Sequence, residues 1–285
     1  MKILIIDGPG VHPRTAPRAL GRGLHDRGHV VIVHPVQLEK LGWFKAQALE
    51  KRAVEVLKIH EPDVIHVFSA EPWVVDAWTG HGVPVIHSGF DRGSRADWIV
   101  APTKQALVVM GSHVSAGEGR AVVSPYPIVI GDSPDNPGSY VLVHAEKRDK
   151  AARRWIAEAG ALHKDIPIRF EGAPEEARVV VSMSSREQLW PTGIAEAMAA
   201  GRPVIAGWTG AASEFVLEGV TGFLSAPGDV KSLAAHLHYL WTQPDEAVNL
   251  GLSGRDEAAA HFGAEEQARI LQRWYLRAGV SRMAM

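Results

Sequence analysis

The sequence predicts an α/β chain of two doubly wound domains, and three observations carry that prediction. Short apolar runs of strand type alternate with stretches of helical spacing, Gly and Pro punctuate the junctions, and the alternation restarts after a single Gly/Pro/Ser-rich linker. The 285 residues are enough for two ordinary domains, and 46% apolar with 22% charged residues is a globular composition. No cysteine is present, which removes disulfide frameworks, thiolate metal sites and cysteine nucleophiles together. No run approaches the roughly 18 apolar residues of a membrane span, and Lys2–Ile6 meets Asp7 too soon for a signal-peptide core. The expectation is a cytoplasmic protein without a transmembrane segment.

The elements follow in order. Lys2–Ile6 is a continuous apolar run ended by Asp7-Gly8-Pro9-Gly10, which suits a strand buried on both faces. A helix is expected from Ala16 to Arg27, stopped by Gly28, then a strand at Val30–Val33 and a helix at Phe44–His60 stopped by Pro62. Strands at Asp63–Phe68, Val83–Ile86, Trp98–Val100 and Ala121–Val123 alternate with helices at Pro72–Trp78 and Thr103–Gly111. The stretch 131–139 is the linker between a first domain, 1–130, and a second, 140–285. The second domain is expected to hold strands at Tyr140–Val143, Ile166–Phe170, Arg178–Ser182 and Val204–Ala206. Its helices are expected at Lys150–Ala159, Thr192–Ala200 and Ser213–Glu218, closed by Val230–Trp241, Glu246–His261 and Ala264–Ala278.

The net charge of −2 argues against a generally basic nucleic-acid surface. It conceals an asymmetry, since residues 1–130 carry 14 Lys/Arg against 12 Asp/Glu and the remainder 16 against 20. Arg14, Arg18 and Arg22 stand i, i+4, i+8, on one face of the first helix after the Gly8–Pro13 loop. Such a face is either solvated or, without nearby carboxylates, suited to a phosphate-bearing acceptor.

Familiar nucleotide motifs are missing: there is no P-loop, no complete dinucleotide fingerprint and no D-x-D pair. His236 and His238, two apart in a helix, diverge and read as surface residues rather than metal ligands. The informative stretch is Ser184–Asp229. Thr192 can cap a helix carrying Glu196, and Gly201-Arg202-Pro203 returns the chain to the strand Val204-Ile205-Ala206. Glu196 then stands near the carboxyl edge of a parallel sheet, where a carboxylate can accept both hydroxyls of a ribose. Thr209-Gly210-Ala211-Ala212-Ser213 follows a strand and opens a helix, a pattern that turns backbone N–H groups toward a phosphate.

This stretch resembles the retaining glycosyltransferases of family 4, which have the GT-B architecture. The match runs through Glu196-Ala197-Met198-Ala199-Ala200-Gly201-Arg202-Pro203-Val204, Gly210, Glu214, Thr221-Gly222-Phe223-Leu224 and Pro227-Gly228-Asp229, in order and spacing. Weaker echoes in the first domain include Arg27-Gly28-His29-Val30 and Pro62-Asp63-Val64-Ile65-His66-Val67. The resemblance implies two Rossmann-like domains facing a cleft, with the C-terminal helices packing back toward the first domain. It also implies a metal-independent reaction without a carried cofactor, on a UDP- or GDP-linked sugar donor.

Residue by residue, the resemblance places the donor ribose at Glu196 and the donor site at Lys150, Arg148, Thr209, Gly210, Ala211 and Glu214. Two family positions are altered here. The sugar-side acid falls on Gln188, with Glu187 beside it, and the diphosphate-binding arginine falls on Ala145, leaving Lys147 or Arg148 to substitute. In the first domain His87 lies near the place of a family histidine close to the reacting sugar, and is either catalytic or a strand-end histidine bonded to backbone. Gly10, Arg14 and Arg18 are the candidate acceptor residues.

The expected function is retaining transfer of a hexose from a nucleotide sugar to an acceptor that the sequence does not identify, with phosphate-bearing and nucleic-acid acceptors among those left open. The alternatives are a viral-type DNA glycosyltransferase acting on a hydroxymethylated base, a nucleotide-sugar epimerase and a non-catalytic nucleotide-sugar-binding module.

Overall fold

The computed structural model describes residues 1–9, 15–37, 45–69, 71–89, 95–110, 120–132 and 137–283. The chain divides into two compact units, Met1–Pro127 with Ala264–Met285, and Ile128–Gly263.

The first unit is built on β1 (Lys2–Asp7), β2 (Val30–Pro35), β3 (Val64–Phe68), β4 (Val85–Ser88), β5 (Trp98–Ala101) and β6 (Ala121–Val123). They form one sheet in the order β2-β1-β3-β4-β5-β6, and every adjacent pair is parallel. β1 lies between two strands with both faces covered, so Ile3, Leu4, Ile5 and Ile6 are fully buried, as their unbroken apolar run requires. α1 (Ala16–Asp26), α2 (Lys45–His60), α3 (Pro72–Asp76) and α4 (Lys104–Met110) connect the strands. α1 buries Ala16, Ala19, Leu20, Gly21, Gly23 and Leu24, and ends where Gly28 takes φ +84°, the left-handed position after a helix. β4 begins two residues later than the sequence suggests because Pro84 has no N–H for the ladder, although its carbonyl accepts from Ile65 N at 2.9 Å.

The second unit repeats the scheme with β7 (Val141–His144), β8 (Ile168–Arg169), β9 (Val179–Ser182), β10 (Val204–Gly207) and β11 (Gly222–Ser225). The order is β11-β10-β9-β7-β8, again parallel throughout. α5 (Lys150–Ala161), α6 (Thr192–Ala199), α7 (Val230–Thr242) and α8 (Pro244–Phe262) complete it. Val141, Val143, Val179, Val181 and Ile205 pack with Ile156, Leu233 and Leu237 to form its core. Three elements differ from the sequence reading. The strand expected at Ile166–Phe170 shrinks to the two-residue edge β8, because Pro167 cannot donate and Phe170 turns out beneath Arg153, 3.9 Å from its guanidinium. β11 is an added strand, and the helix expected at Ser213–Glu218 is instead a short 3-10 helix at Gly210–Glu214.

The last helix, α9 (Ala264–Met283), belongs to the first unit rather than to the second. It packs along α1, where a β-carbon on Gly23 would stand 2.8 Å from the Ala264 carbonyl oxygen and 3.0 Å from Ala268 Cβ. Gln267 Oε1 accepts from Ser124 Oγ at 2.5 Å, Gln272 Oε1 accepts from Arg27 Nε at 2.6 Å, and the Tyr275 hydroxyl meets His66 Nδ1 at 2.5 Å. Among the described residues no helix is long and apolar enough to cross a membrane.

Candidate functional site

The sheet of the second unit reverses its winding between β7 and β9: β8 lies on one side of β7, and β9, β10 and β11 on the other. In open parallel sheets the crevice outside the carboxyl ends of the strands at such a reversal is where ligands bind. His144 pairs with Ser182 in register and Ser182 with Ala206, so the loops leaving β7, β9 and β10 start level with one another.

Asp149, the residue before α5, ties the first two loops together. Its Oδ1 accepts from Ala152 N at 3.0 Å, capping the helix, and from Ser185 Oγ at 2.7 Å. Its Oδ2 accepts from Ser185 N at 2.7 Å and from Ser184 Oγ at 3.4 Å. Burial pushes the carboxyl pKa up, but the Ser185 and Ala152 amides and the serine hydroxyls outweigh it and hold the group below its ordinary value. Sequence reasoning gave Asp149 no role, although an Asp just before a helical Lys-Ala-Ala run is a cap signal. In the same loop Lys147, Arg148 and Lys150 are exposed, while Ala145, at the family arginine position, packs against the core.

α6 presents Glu196 to solvent. Desolvation raises the Glu196 pKa, the nearby His144 opposes the shift and Glu175 reinforces it. His144, at the end of β7, lies against the first turn of α6, so closely that a β-carbon on Gly193 would overlap its ring. Thr192 does not cap this helix. Pro191 occupies the cap position, Thr192 is the first helical residue, and carbonyls rather than a side chain engage its first amides, Thr192 N donating to Trp190 O and Ile194 N to Pro191 O, both at 3.0 Å.

The turn after β10 closes on the loop after β9. Gly210 has φ +54°, and a β-carbon there would stand 2.6 Å from Gln188 O and 2.8 Å from Gln188 N. Ala211 N donates to Gln188 O at 3.1 Å and Ala212 N to Thr209 O at 3.2 Å, so these amides are used within the fold rather than directed at a phosphate. Gln188 and Thr209 are half-buried, whereas Glu187 and Glu214 are exposed. The structure thus brings Gln188, Thr209, Gly210 and Ala211 together. It also places Lys150 and Arg148 on the loop that Asp149 joins to Ser184 and Ser185. Trp208, which the sequence reading did not single out, stands exposed beside this turn.

In the first unit Arg18 and Arg22 are exposed on α1, and Gly10 and Arg14 lie outside the described residues. His87 is fully buried, with Nε2 2.8 Å from Ser69 O, and a β-carbon on Gly89 would stand 2.5 Å from that nitrogen. This is the backbone-bonded arrangement of the two considered. The two helical histidines of the second unit are also held by neighbours: His236 stacks on Phe223 and meets Ser225 Oγ at 3.2 Å, and His238 stacks on His163.

Residues 128–243 match the family model described as Glycosyl transferases group 1. Trehalose phosphorylase of Pleurotus pulmonarius is 36% identical over 89 residues, which is 31% of this chain and 11% of that protein, so the match spans a small part of the relative. The solved sucrose-phosphate synthase of Thermosynechococcus elongatus superposes with a TM-score of 0.77 at 17% identity, covering 99% of this chain and 100% of that one. A glycosyltransferase of Rickettsia africae ESF-5 gives 0.75 at 15% identity over 97% and 98% of the two chains. The Anabaena protein HepE in complex with UDP-glucose gives 0.71 at 15% identity over 97% and 100%. These likenesses establish the fold: it is the two-domain GT-B fold, and the segment that matches Glycosyl transferases group 1 is the one that carries Lys150, Gln188, Glu196 and Gly210.

Proposed function

We propose that the chain is a glycosyltransferase that moves a hexose, with retention at the anomeric carbon, from a nucleotide diphosphate to an acceptor hydroxyl. One observation carries this reading. The Lys150 loop, the Glu196 helix and the Gly210 turn clamped on Gln188 converge at the winding reversal of the second unit, inside the family-matched segment. In this scheme Glu196 accepts the ribose hydroxyls, and Lys150 and Arg148 offset the charge that develops on the leaving diphosphate. Gln188 takes the sugar-side position, with Glu187 exposed beside it. The bond from the anomeric carbon to the diphosphate oxygen breaks as the acceptor oxygen bonds to that carbon. The acceptor proton passes to the departing phosphate, so no carboxylate nucleophile and no carried cofactor are needed. Arg18 and Arg22, with Gly10 and Arg14 earlier in the chain, form the acceptor side and favour an anionic acceptor.

The test is a panel of UDP- and GDP-linked sugars followed by mass spectrometry, with Glu196→Ala alongside. The expected result is consumption of one donor, and a donor affinity about 10- to 100-fold lower in the variant, the loss that one or two charge-assisted hydrogen bonds represent. Donor affinity and turnover unchanged in Glu196→Ala would remove the nucleotide site from this helix. A new sugar isomer without any acceptor identifies an epimerase, modified DNA identifies a DNA glycosyltransferase, and donor bound but never consumed identifies a binding module.

A further inference from the structure

Trp208 alone among the described tryptophans is exposed, with 64% of its surface open to solvent. The others are at least half-buried, and several have aromatic or cationic partners: Trp190 lies against Phe215 and Phe262, Trp98 against Trp274, and Trp241 beneath Arg178. A large apolar ring left in water is the unusual case, and indoles with one open face are favoured recognition groups.

The backbone beneath this ring is fixed on both sides. Trp208 N donates to Ser225 O at 2.9 Å, extending the β10–β11 ladder, and Thr209 N donates to Gly207 O at 2.7 Å. Gly207 lies against the loop after β9, where a β-carbon would stand 3.4 Å from Met183 Sδ and 3.6 Å from Ser184 N. Two residues on, Gly210 is locked to the Gln188 backbone. The indole is thus an exposed apolar plate carried on a fixed backbone. Half-buried hydrogen-bonding side chains, Thr209 and Gln188, belong to the same turn and its partner loop.

That combination is the one a pyranose calls for, with an apolar C–H face to stack on a ring and hydroxyls to satisfy nearby. We propose that Trp208 is a carbohydrate-stacking residue, resting on the function proposed above. The sugar comes from the donor or from a glycan acceptor.

The experiment compares wild type, Trp208→Ala and Trp208→Phe by calorimetry. The probes are free UDP and GDP and the corresponding UDP- and GDP-linked hexoses, and a glycan array serves as the acceptor arm. Because the ring is exposed, both variants should keep the wild-type thermal midpoint. The expected outcome is a roughly five- to tenfold loss of sugar-bearing ligand in Trp208→Ala, largely restored in Trp208→Phe, with free nucleotide affinity unchanged. A loss on the nucleotide sugars assigns the donor, and a loss on the array assigns the acceptor. Equal loss of free nucleotide would make the ring a nucleobase platform, and no loss of any sugar-bearing ligand would make it an idle surface residue; either overturns the proposal. If the wild type binds neither nucleotides nor nucleotide sugars, the function reading fails separately, and the array still decides the role of Trp208.

Discussion

Gly210 and Gln188 are locked backbone to backbone: a β-carbon on the glycine would stand 2.6 Å from the Gln188 carbonyl oxygen, and the glycine itself sits at φ +54°. Gly210→Ala therefore meets two penalties, about 1–2 kcal/mol for the left-handed conformation and a further steric displacement of the Gln188 loop. Gly219 separates them, since it has φ +69° with nothing within 4 Å of a β-carbon. Donor titrations should show Gly210→Ala at least tenfold weaker and Gly219→Ala close to wild type. Equal behaviour of the two variants would mean that the clamp on Gln188 does not matter for the site.

Gly193→Ala should behave in opposite ways in two backgrounds. In the wild type the added methyl overlaps the His144 ring, and overpacking of this kind costs about 1–3 kcal/mol. With His144→Ala the obstacle is gone, and replacing glycine inside α6 is then worth up to about 1 kcal/mol in helix propensity. Denaturant unfolding of the four combinations gives the coupling directly. Additive effects would mean that the two residues do not touch.

Asp149→Asn tests the tie between the loops after β7 and β9. The carboxyl pKa is held below its ordinary value in the folded chain, so its stabilisation is complete above about pH 4, the unfolded value, and is lost as pH falls through the folded one. At pH 7 the variant should be about 1–3 kcal/mol less stable, because a charged acceptor of several hydrogen bonds has become neutral. The gap should narrow below pH 4, where the wild-type group also protonates. A pH-independent difference would point to shape rather than charge.

His66 makes the range between pH 7 and 5 informative for the first unit. Burial, with a smaller effect of His87, lowers its pKa to about 3, and its ring bonds the Tyr275 hydroxyl at 2.5 Å and Ser88 Oγ at 2.6 Å. The unfolded chain takes up this proton near pH 6.5 and the folded one does not. Stability is therefore fully present above pH 6.5 and falls on acidification, by up to about 1.4 kcal/mol per pH unit. His66→Gln should flatten that slope in unfolding curves between pH 7 and 5. Tyr275→Phe should keep the slope and cost about 1–3 kcal/mol at every pH, because it strands one ring nitrogen.

Much of this architecture was legible because buried parallel strands are written as short apolar runs: Ile3–Ile6 and Val179–Val181 are unbroken, and Val64–Phe68 is interrupted only by His66. β11 was not, since only Phe223 and Leu224 are apolar in Gly222–Ser225 and its place is set by pairing with β10. The return of α9 to the first unit came from the family resemblance and not from the helix's own residues, because an amphipathic helix shows that it has a buried face but not which unit buries it. The sequence put Glu196 on the helix after β9 and Gly210 on the turn after β10, where the structure has them. The roles of Asp149 and Gly193 could not be read from it, because each depends on a partner from another loop or strand: Ser184 and Ser185 for Asp149, and His144 for Gly193.

The return of the last helix to the first unit makes the two units unequal in what a shortened chain can complete. The second unit is one uninterrupted stretch, Ile128–Gly263, and has all its strands and core helices in a chain that stops there. The first unit, although it comes first in the sequence, has no partner for the Gly23 face of α1, for the Ser124 hydroxyl or for His66 Nδ1 without α9. Chains ending at Gly263 should therefore resist proteolysis in their second half while their first half is cleaved, so the unit that comes first in the sequence is the one that needs α9.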